Sequence, residues 1–563
     1  MNRSAARYIG VILLLFSAAG FAAAGETAGK TAALPPITGF HIDMNISQFT
    51  AAYLKKELKL LADLGYDTII WEVENNIKWE TCPECVSPDA FTKAEFKEIL
   101  AYSRGLGLEP IPLLQTIGHC EYVLKHAKYK PLAEVPDRID QYCPQNPAVV
   151  PFLRKWIDEC LDVFGDVKYF HLGADEAYTL GECPRCRAYA AAHSLSALYI
   201  DHINAMSQPL IAKGMRPVIW ADMLLHHPEA LDSLSNRVVI YDWLYTRFHG
   251  TGGVWVWGQG TKAKDELDPA TLARFGPYLY PLGDEPGRDP DPFYQSEYLA
   301  AHGFDVVVCP SSSCWGDSVF APRTYFHMRN TFDSFRSGMS GRLGGAVLTS
   351  WTVHLFPWEL QLPCIELPKF IAAHPCGSLE DFQAAYVREH FGVEDTGFFV
   401  AAGRLANRGL FNYADDLGFF KEALPAPREY VAGRIEKMAK KGELGAELET
   451  CEQRLVEYRE GLALFGAYAD VAKKGHDELK AWNLAARNLI NRAEASKVLL
   501  KRRIDGAGPA IAAEGVRVLE GLRALRRETE MAIAAEVKPS RTREMLHWMY
   551  DSMEAALETS AAR

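Results

Sequence analysis

The chain has no excess of basic residues. Sixty Lys and Arg stand against 72 Asp and Glu, for a formal net charge of −12 over 563 residues. A nucleic-acid binder needs a basic face, so that class is excluded. Beyond the N-terminus no stretch is apolar enough to span a bilayer. Hydrophobic residues make up 48% and charged residues 23%, so wholesale disorder is excluded as well. No glycine-rich phosphate loop follows the first β-rich run, which argues against a doubly wound dinucleotide fold. No pair of histidines at helical spacing marks a zinc hydrolase.

The N-terminus carries the one strong targeting signal. Arg3 and Arg7 precede the apolar run Ile9 to Phe16, and Ala22-Ala23-Ala24 follows. A charged segment, an apolar segment and an A-x-A site read as a cleaved export signal over residues 1–24. The apolar run is shorter than the ~20 residues that a membrane span needs. No Cys stands near the cleavage point to take a lipid. The expectation is an exported protein, periplasmic or secreted, with no membrane association after signal cleavage.

Cysteine is not scarce: there are 12. Four form two short pairs, Cys82-Pro83-Glu84-Cys85 and Cys183-Pro184-Arg185-Cys186. Two such pairs can supply four thiolates to a structural zinc. Their separation of roughly a hundred residues exceeds that of zinc ribbons. Disulfides and free thiols are the alternatives.

Up to about Pro375 the chain alternates short β-rich runs with longer amphipathic segments. Eight strands are expected: Gly39–Asp43, Thr68–Glu74, Glu109–Gln115, Tyr169–Gly173, Pro217–Ala221, Val238–Tyr241, Asp305–Cys309 and Gly345–Trp351. Most are apolar throughout, as suits strands buried on both faces. Helical patterns lie between them at Ala51–Leu64, Thr92–Gly105 and Val150–Phe164. Thr92 and Glu95 have capping-box spacing. Eightfold alternation predicts an α/β chain with a parallel (β/α)8 TIM barrel over residues 25–376. An all-helical C-terminal domain is expected over 377–563. There Leu444, Leu448, Cys451, Leu455, Tyr458, Leu462 and Phe465 form one apolar stripe. Burial against neighbouring tail helices is the favoured reading, and a homodimer seam is the alternative.

In a parallel barrel the active site lies past the carboxyl ends of the strands. Those positions hold His41, Asp43, Glu72, Glu74, Gln115, His119, His171, Asp175, Glu176, Asp222, Tyr241 and Asp242. Trp220, Trp243, Trp315 and Trp351 fall in the same zone. Aromatic faces beside carboxylates suit a sugar ring, which stacks its C–H face and hydrogen-bonds its hydroxyls. Trp71 reads as core instead.

The sharpest feature is His171-Leu172-Gly173-Ala174-Asp175-Glu176. Two adjacent acids in a closed pocket cannot both ionise comfortably, which separates a general acid from a carboxylate. A solvated pair capping the next helix is the plainer reading. Retaining glycosidases usually bring a second carboxylate across the pocket. Here the seventh strand is followed by Pro310-Ser311-Ser312-Ser313-Cys314-Trp315, with no acid until Asp317. The eighth ends in Thr349-Ser350-Trp351. The missing late carboxylate points to a substrate that supplies its own nucleophile, as a 2-acetamido group can.

These residues resemble the family 20 glycoside hydrolases, the β-N-acetylhexosaminidases. The His-Leu-Gly-Ala-Asp-Glu run is similar to that family's His-x-Gly-x-Asp-Glu signature. Ile111 to His119, Trp220-Ala221-Asp222-Met223 and Leu348-Thr349-Ser350-Trp351 are similar to its hexosaminidase D-like branch. The resemblance spans roughly residues 39–375. It implies Glu176 as acid/base and Asp175 as the partner of the 2-acetamido group and its oxazolinium. It also implies His119 as a pocket histidine and Trp351 as an aromatic floor. Tyr241, Asp242 and Trp243 fall around the ring and acetamido group. Many members carry an Arg after the first strand; this chain has His41-Ile42-Asp43-Met44-Asn45. Asp43, Glu74 or Glu80 then stand in for it on the sugar hydroxyls.

The resulting expectation is an exo-acting hydrolase of N-acetylhexosamine-terminated glycans, retaining and substrate-assisted. It needs no cofactor for catalysis, and a structural zinc at Cys82, Cys85, Cys183 and Cys186 stands beside the disulfide reading. Two rivals remain: a metal-dependent barrel hydrolase using His41, Asp43, His119 and His171, and a non-catalytic glycan-binding protein.

Overall fold

The computed structural model describes residues 36–563, apart from 46, 251, 284–286, 352–356, 408, 412–426 and 562–563. The export signal therefore lies outside the described residues. Eight parallel strands close into a barrel: β1 Ile37–Asp43, β2 Thr68–Glu72, β3 Glu109–Leu113, β4 Tyr169–His171, β5 Arg216–Trp220, β6 Val239–Trp243, β7 Asp305–Cys309 and β8 Gly345–Ser350. Closure comes from β1, which pairs on one side with β2 and on the other with β8 from Ile37↔Gly345 to Ile42↔Ser350. All eight sit where the apolar runs placed them. A short strand, Ser311–Ser313, adds beside β8. A hairpin of Gly253–Val256 and Gly260–Ala263 stands apart from the barrel sheet.

Local chemistry explains the helix boundaries. Thr50 caps the helix Ala51–Asp63 by accepting from the Tyr53 N–H, and Gly65 ends it at φ 89°. Thr92 and Glu95 form the expected capping box at the start of Lys93–Gly105. Strand side chains alternate between the barrel interior and the helical shell. Trp71 points outward and packs edge-on against Phe96 at 5.3 Å, while its neighbour Glu72 points inward to His41. Trp71 is thus core, as expected.

Beyond β8 every described element is a helix. The expected stripe lies on Leu444–Val471 and is covered within the chain. Cys451, Leu455, Tyr458 and Phe465 are buried, and Leu444, Leu448 and Leu462 pack at the margin. Phe465 stacks on Trp482 of the helix His476–Asp505. The stripe thus packs largely within the tail. The tail also returns to the barrel mouth. Phe49 and Val537 form an antiparallel bridge, Thr50 N–H donates to Glu536 and Lys538 N–H to Gln48. Among the described residues no helix is long and apolar enough to cross a membrane.

Candidate active site

The loops after β3 and β4 carry the centre of the site. His119 Nε2 lies 3.2 Å from Asp175 Oδ2 and 3.5 Å from Glu176 Oε2. The Asp175 side chain is 6% exposed, whereas those of His119 and Glu176 are 31% and 38% exposed. Asp175 is therefore enclosed, and the other two open to whatever enters the mouth. The Tyr178 hydroxyl stands 3.5 Å from Glu176 Oε1.

The backbone here is strained. Among the described residues five non-glycine positions have positive φ, and four of them are Glu74, His119, Ala174 and Glu176. Each such residue costs about 1–3 kcal/mol and persists only where its surroundings hold it. The holding contacts are visible. Tyr199 OH donates to the Ala174 carbonyl at 2.9 Å, and Glu176 N–H donates to Asp222 Oδ2 at 2.9 Å. Trp220 N–H donates to the Gly173 carbonyl at 3.0 Å. Asp222 Oδ1 also accepts from the Trp243 indole at 3.3 Å. One buried carboxylate thus joins the backbone of Glu176 to an aromatic wall.

The electrostatics separate the roles. Burial disfavours the His119 cation, yet Asp175, Glu176 and Glu121 outweigh it and hold its pKa well above the ordinary histidine value. Burial raises the Glu176 carboxyl against the pull of the His119 cation, and the Asp175 charge adds to the rise. Burial, then Asp175, push Asp222 well above the carboxylate range. Glu74 is raised by burial, Glu72, Asp43 and Glu121. Burial pushes Glu121 up to about 7. Protons are therefore available around this mouth at neutral pH.

The floor is aromatic. Trp351 lies 4.6 Å from His41, 5.9 Å from Trp220 and 6.5 Å from Tyr245, centroid to centroid. Tyr241 faces inward between His171 and Trp220. Trp243 packs against Tyr245 and Trp257. Below them His41 Nε2 meets Glu72 Oε2 at 2.9 Å, and Gln115 donates to Glu72 Oε1 at 2.9 Å. Asp43 is buried in the same layer and accepts from Asn45 N–H.

Some expected residues stand elsewhere. Asp242 lies between Tyr241 and Trp243 on β6, so the pleat turns it out of the barrel. There it is fully buried, paired with Arg247 at 2.8 Å and bonded to Ser296. It is a structural ion pair and not a group of the pocket. Trp315 is 62% exposed on the loop after β7. Glu80 is 83% exposed and paired with Lys93. Asp317, the first acid after β7, is fully buried and engaged by Arg323 and His327. Cys82 and Cys85 are joined in a disulfide. Cys183 and Cys186 face Cys143 and Glu134 instead, so the two CxxC pairs do not build one four-cysteine zinc site. The spacing signal erred because it counted only cysteines near one another in sequence.

Sequence reasoning placed Asp222 at a strand end but gave it no role. It missed Tyr178, Tyr199, Tyr245 and Glu121 altogether. Tyr178 follows Glu176 by two residues, which was the one local signal on offer.

Residues 55–252 match the catalytic domain of glycosyl hydrolase family 20. That span runs from the helix before β2 through β6, within the broader 39–375 suggested by the motifs. Hexosaminidase D of Bos taurus is 29% identical over 243 residues, covering 38% of this chain and 69% of that protein. Hexosaminidase D of Homo sapiens is 30% identical over 214 residues, covering 37% of this chain and 44% of that protein. The chain thus spans less than half the length of the human relative. Among solved structures, an N-acetyl-β-hexosaminidase of Streptomyces plicatus aligns over 67% of this chain and 70% of its own, at 16% identity and a TM-score of 0.44. Residues 55–252 are thus similar to the family 20 catalytic domain, and the chain is similar to hexosaminidase D of both mammals.

Proposed function

We propose that the protein is an exo-acting β-N-acetylhexosaminidase working by substrate-assisted retention. The observation that carries this reading is the Asp175-Glu176 pair around His119, with no free carboxylate facing it from the loop after β7. Glu176, raised and open to the mouth, donates its proton to the glycosidic oxygen as the bond to C1 breaks. The carbonyl oxygen of the sugar's 2-acetamido group bonds to C1 and forms an oxazolinium. Asp175 accepts from the acetamido N–H and balances the developing positive charge. Glu176, now a carboxylate, takes a proton from water as that water attacks C1 and the oxazolinium C1–O bond breaks, restoring the 2-acetamido group. Two inversions at C1 give net retention.

Trp351 and Trp243 supply apolar faces to the ring, and Asp43 and Glu74 supply acceptors and donors for its hydroxyls. The metal-hydrolase alternative is disfavoured, because His41 is engaged by Glu72 and His171 Nδ1 by the Gly173 N–H. Export to the periplasm or medium is proposed from residues 1–24, and an N-acetylhexosamine-terminated glycan is the proposed substrate.

The test is a panel of aryl β-glycosides with and without the 2-acetamido group. Turnover confined to the 2-acetamido members, and abolished by Glu176→Gln in a folded protein, is the expected result. Equal turnover of the plain glucoside would overturn substrate assistance. Near-normal activity in Glu176→Gln would overturn the assignment of the acid. Binding of N-acetylglucosamine with no hydrolysis would favour the glycan-binding alternative.

A further inference from the structure

Outside the proposed sugar site, three sulfurs and a carboxylate converge. Cys143 Sγ lies 3.6 Å from Cys183 Sγ and 3.6 Å from Cys186 Sγ. Cys186 Sγ lies 3.1 Å from Glu134 Oε2. All four candidate ligand atoms fall within 4.8 Å of one another. The sulfurs are too far apart to be bonded, since a disulfide needs about 2.05 Å. A tetrahedron with zinc–sulfur bonds of about 2.3 Å has sulfur–sulfur edges of about 3.8 Å. The observed spacing is that of thiolates around a shared ion.

The surroundings are built for it. Glu134, Cys143 and Cys186 are buried and Cys183 is half-buried. Cys186 N–H donates to Cys183 Sγ at 3.3 Å, closing the Cys-Pro-Arg-Cys turn and aiming both sulfurs to one side. Glu134 Oε1 accepts from Cys183 N–H at 3.0 Å, which leaves Oε2 to face the sulfurs. Such outer contacts orient metal ligands. Glu134 and Cys143 stand on opposite arms of a small ladder, through Glu134 N–H to Gln141 O and Cys143 N–H to Leu132 O. Arg185 reaches Cys143 Sγ at 3.8 Å from the rim. Bound as thiolates, the three sulfurs and the carboxylate carry a charge that a divalent cation and Arg185 together nearly balance.

We propose that Cys143, Cys183, Cys186 and Glu134 form a closed, four-coordinate structural zinc site. Four protein ligands leave no open position, so its role is to hold the fold. It staples together the loops after β3 and β4. Tyr142 N–H donates to Ile117 O and Cys120 N–H to Asp140 O on the β3 side. Thr179 N–H donates to Gln141 Oε1 on the β4 side. The ligand segment therefore spans the two loops that present His119 and the Asp175-Glu176 pair.

The test uses the full chain produced with added zinc and purified without chelator. Elemental analysis is expected to give about one zinc per chain, with Cys143, Cys183 and Cys186 protected from alkylation until the metal is removed. Cobalt(II) substitution is expected to give the thiolate charge-transfer and visible bands of a tetrahedral site. Glu134→Gln keeps the side-chain volume and the acceptor for Cys183 N–H, and should lower zinc affinity tenfold or more. Cys143→Ser should lower it further; if that variant does not fold, Glu134→Gln decides. Zinc below about a tenth of an equivalent, or a disulfide mapped among these three cysteines, overturns the proposal. Zinc affinity unchanged in Glu134→Gln overturns the ligand set, and a different metal at one per chain overturns zinc.

Discussion

A methyl group on Gly118 would lie 2.0 Å from the main-chain oxygen of Asp175. The loops after β3 and β4 thus meet backbone to backbone, with His119 carried on one and Asp175-Glu176 on the other. This contact fixes the separation between the imidazole and the two acids. Only glycine fits it, because the opposing atom belongs to the main chain and cannot rotate aside.

Gly118→Ala is accordingly expected to push the two loops apart. Activity on an aryl N-acetylhexosaminide should fall by roughly 10²-fold or more, since displacements near 1 Å at a reacting centre cost that much. Far-UV circular dichroism should change little. Full activity in this variant would show that the loops yield without cost.

The pH profile should respond to His119. Glu176 must hold its proton to donate it, so kcat/KM falls as pH rises through the Glu176 pKa of the free enzyme. The His119 cation lowers that pKa. His119→Asn removes the cation, so the alkaline limb should move to higher pH even as the rate drops. An unmoved limb, or one displaced downward, would contradict the electrostatic coupling of the two residues.

Asp222 is buried and holds the main chain of Glu176 through its N–H. Asp222→Ala removes the acceptor to which both the Glu176 N–H and the Trp243 indole N–H donate. A buried unpaired donor costs about 1–3 kcal/mol, so kcat should fall about 10- to 100-fold. KM should move far less. Steady-state kinetics on one aryl substrate separates the two, and a loss confined to KM would refute the positioning role.

His390 ties the end of the barrel region to the tail. Its Nε2 meets Glu366 at 2.9 Å and its Nδ1 meets Glu478 at 3.0 Å. Burial opposes its charge, but the two carboxylates raise its pKa to about 10. A histidine raised on folding stabilises fully below its unfolded value of about 6.5 and loses that contribution as pH climbs toward the folded value. His390→Gln should lose about 2–4 kcal/mol of stability near pH 6. The difference from wild type should shrink steadily between pH 6.5 and about 10. Denaturant melts across that range would check this, and a pH-independent difference would rule out the linkage.

The barrel was legible because most strands are short, largely apolar runs separated by longer amphipathic segments. Burial on both faces writes itself into composition. The Thr92-Glu95 capping box was legible because its two partners lie within one turn. The His171 to Glu176 run was legible because its chemistry is contiguous. Sequence order alone also put the late acids in doubt, and Asp317 does turn out to be engaged elsewhere.

What sequence could not tell was direction and long-range company. Asp242 reads as a pocket acid, yet the pleat of β6 sends it outward to Arg247 while Tyr241 and Trp243 turn in. Cys183 and Cys186 looked for their partners in Cys82 and Cys85, and the folded chain gave them Cys143 and Glu134. The strain at His119 and Glu176 depends on Asp222 and on the Gly118–Asp175 contact, each from another loop. Periodicity and local bonding are properties of neighbouring residues, so the sequence alone determined the eight strands, the caps and the acidic pair. Which way a strand residue faces, and which distant groups share its surroundings, is set by closure of the barrel, so the tertiary structure alone decided the geometry of the site.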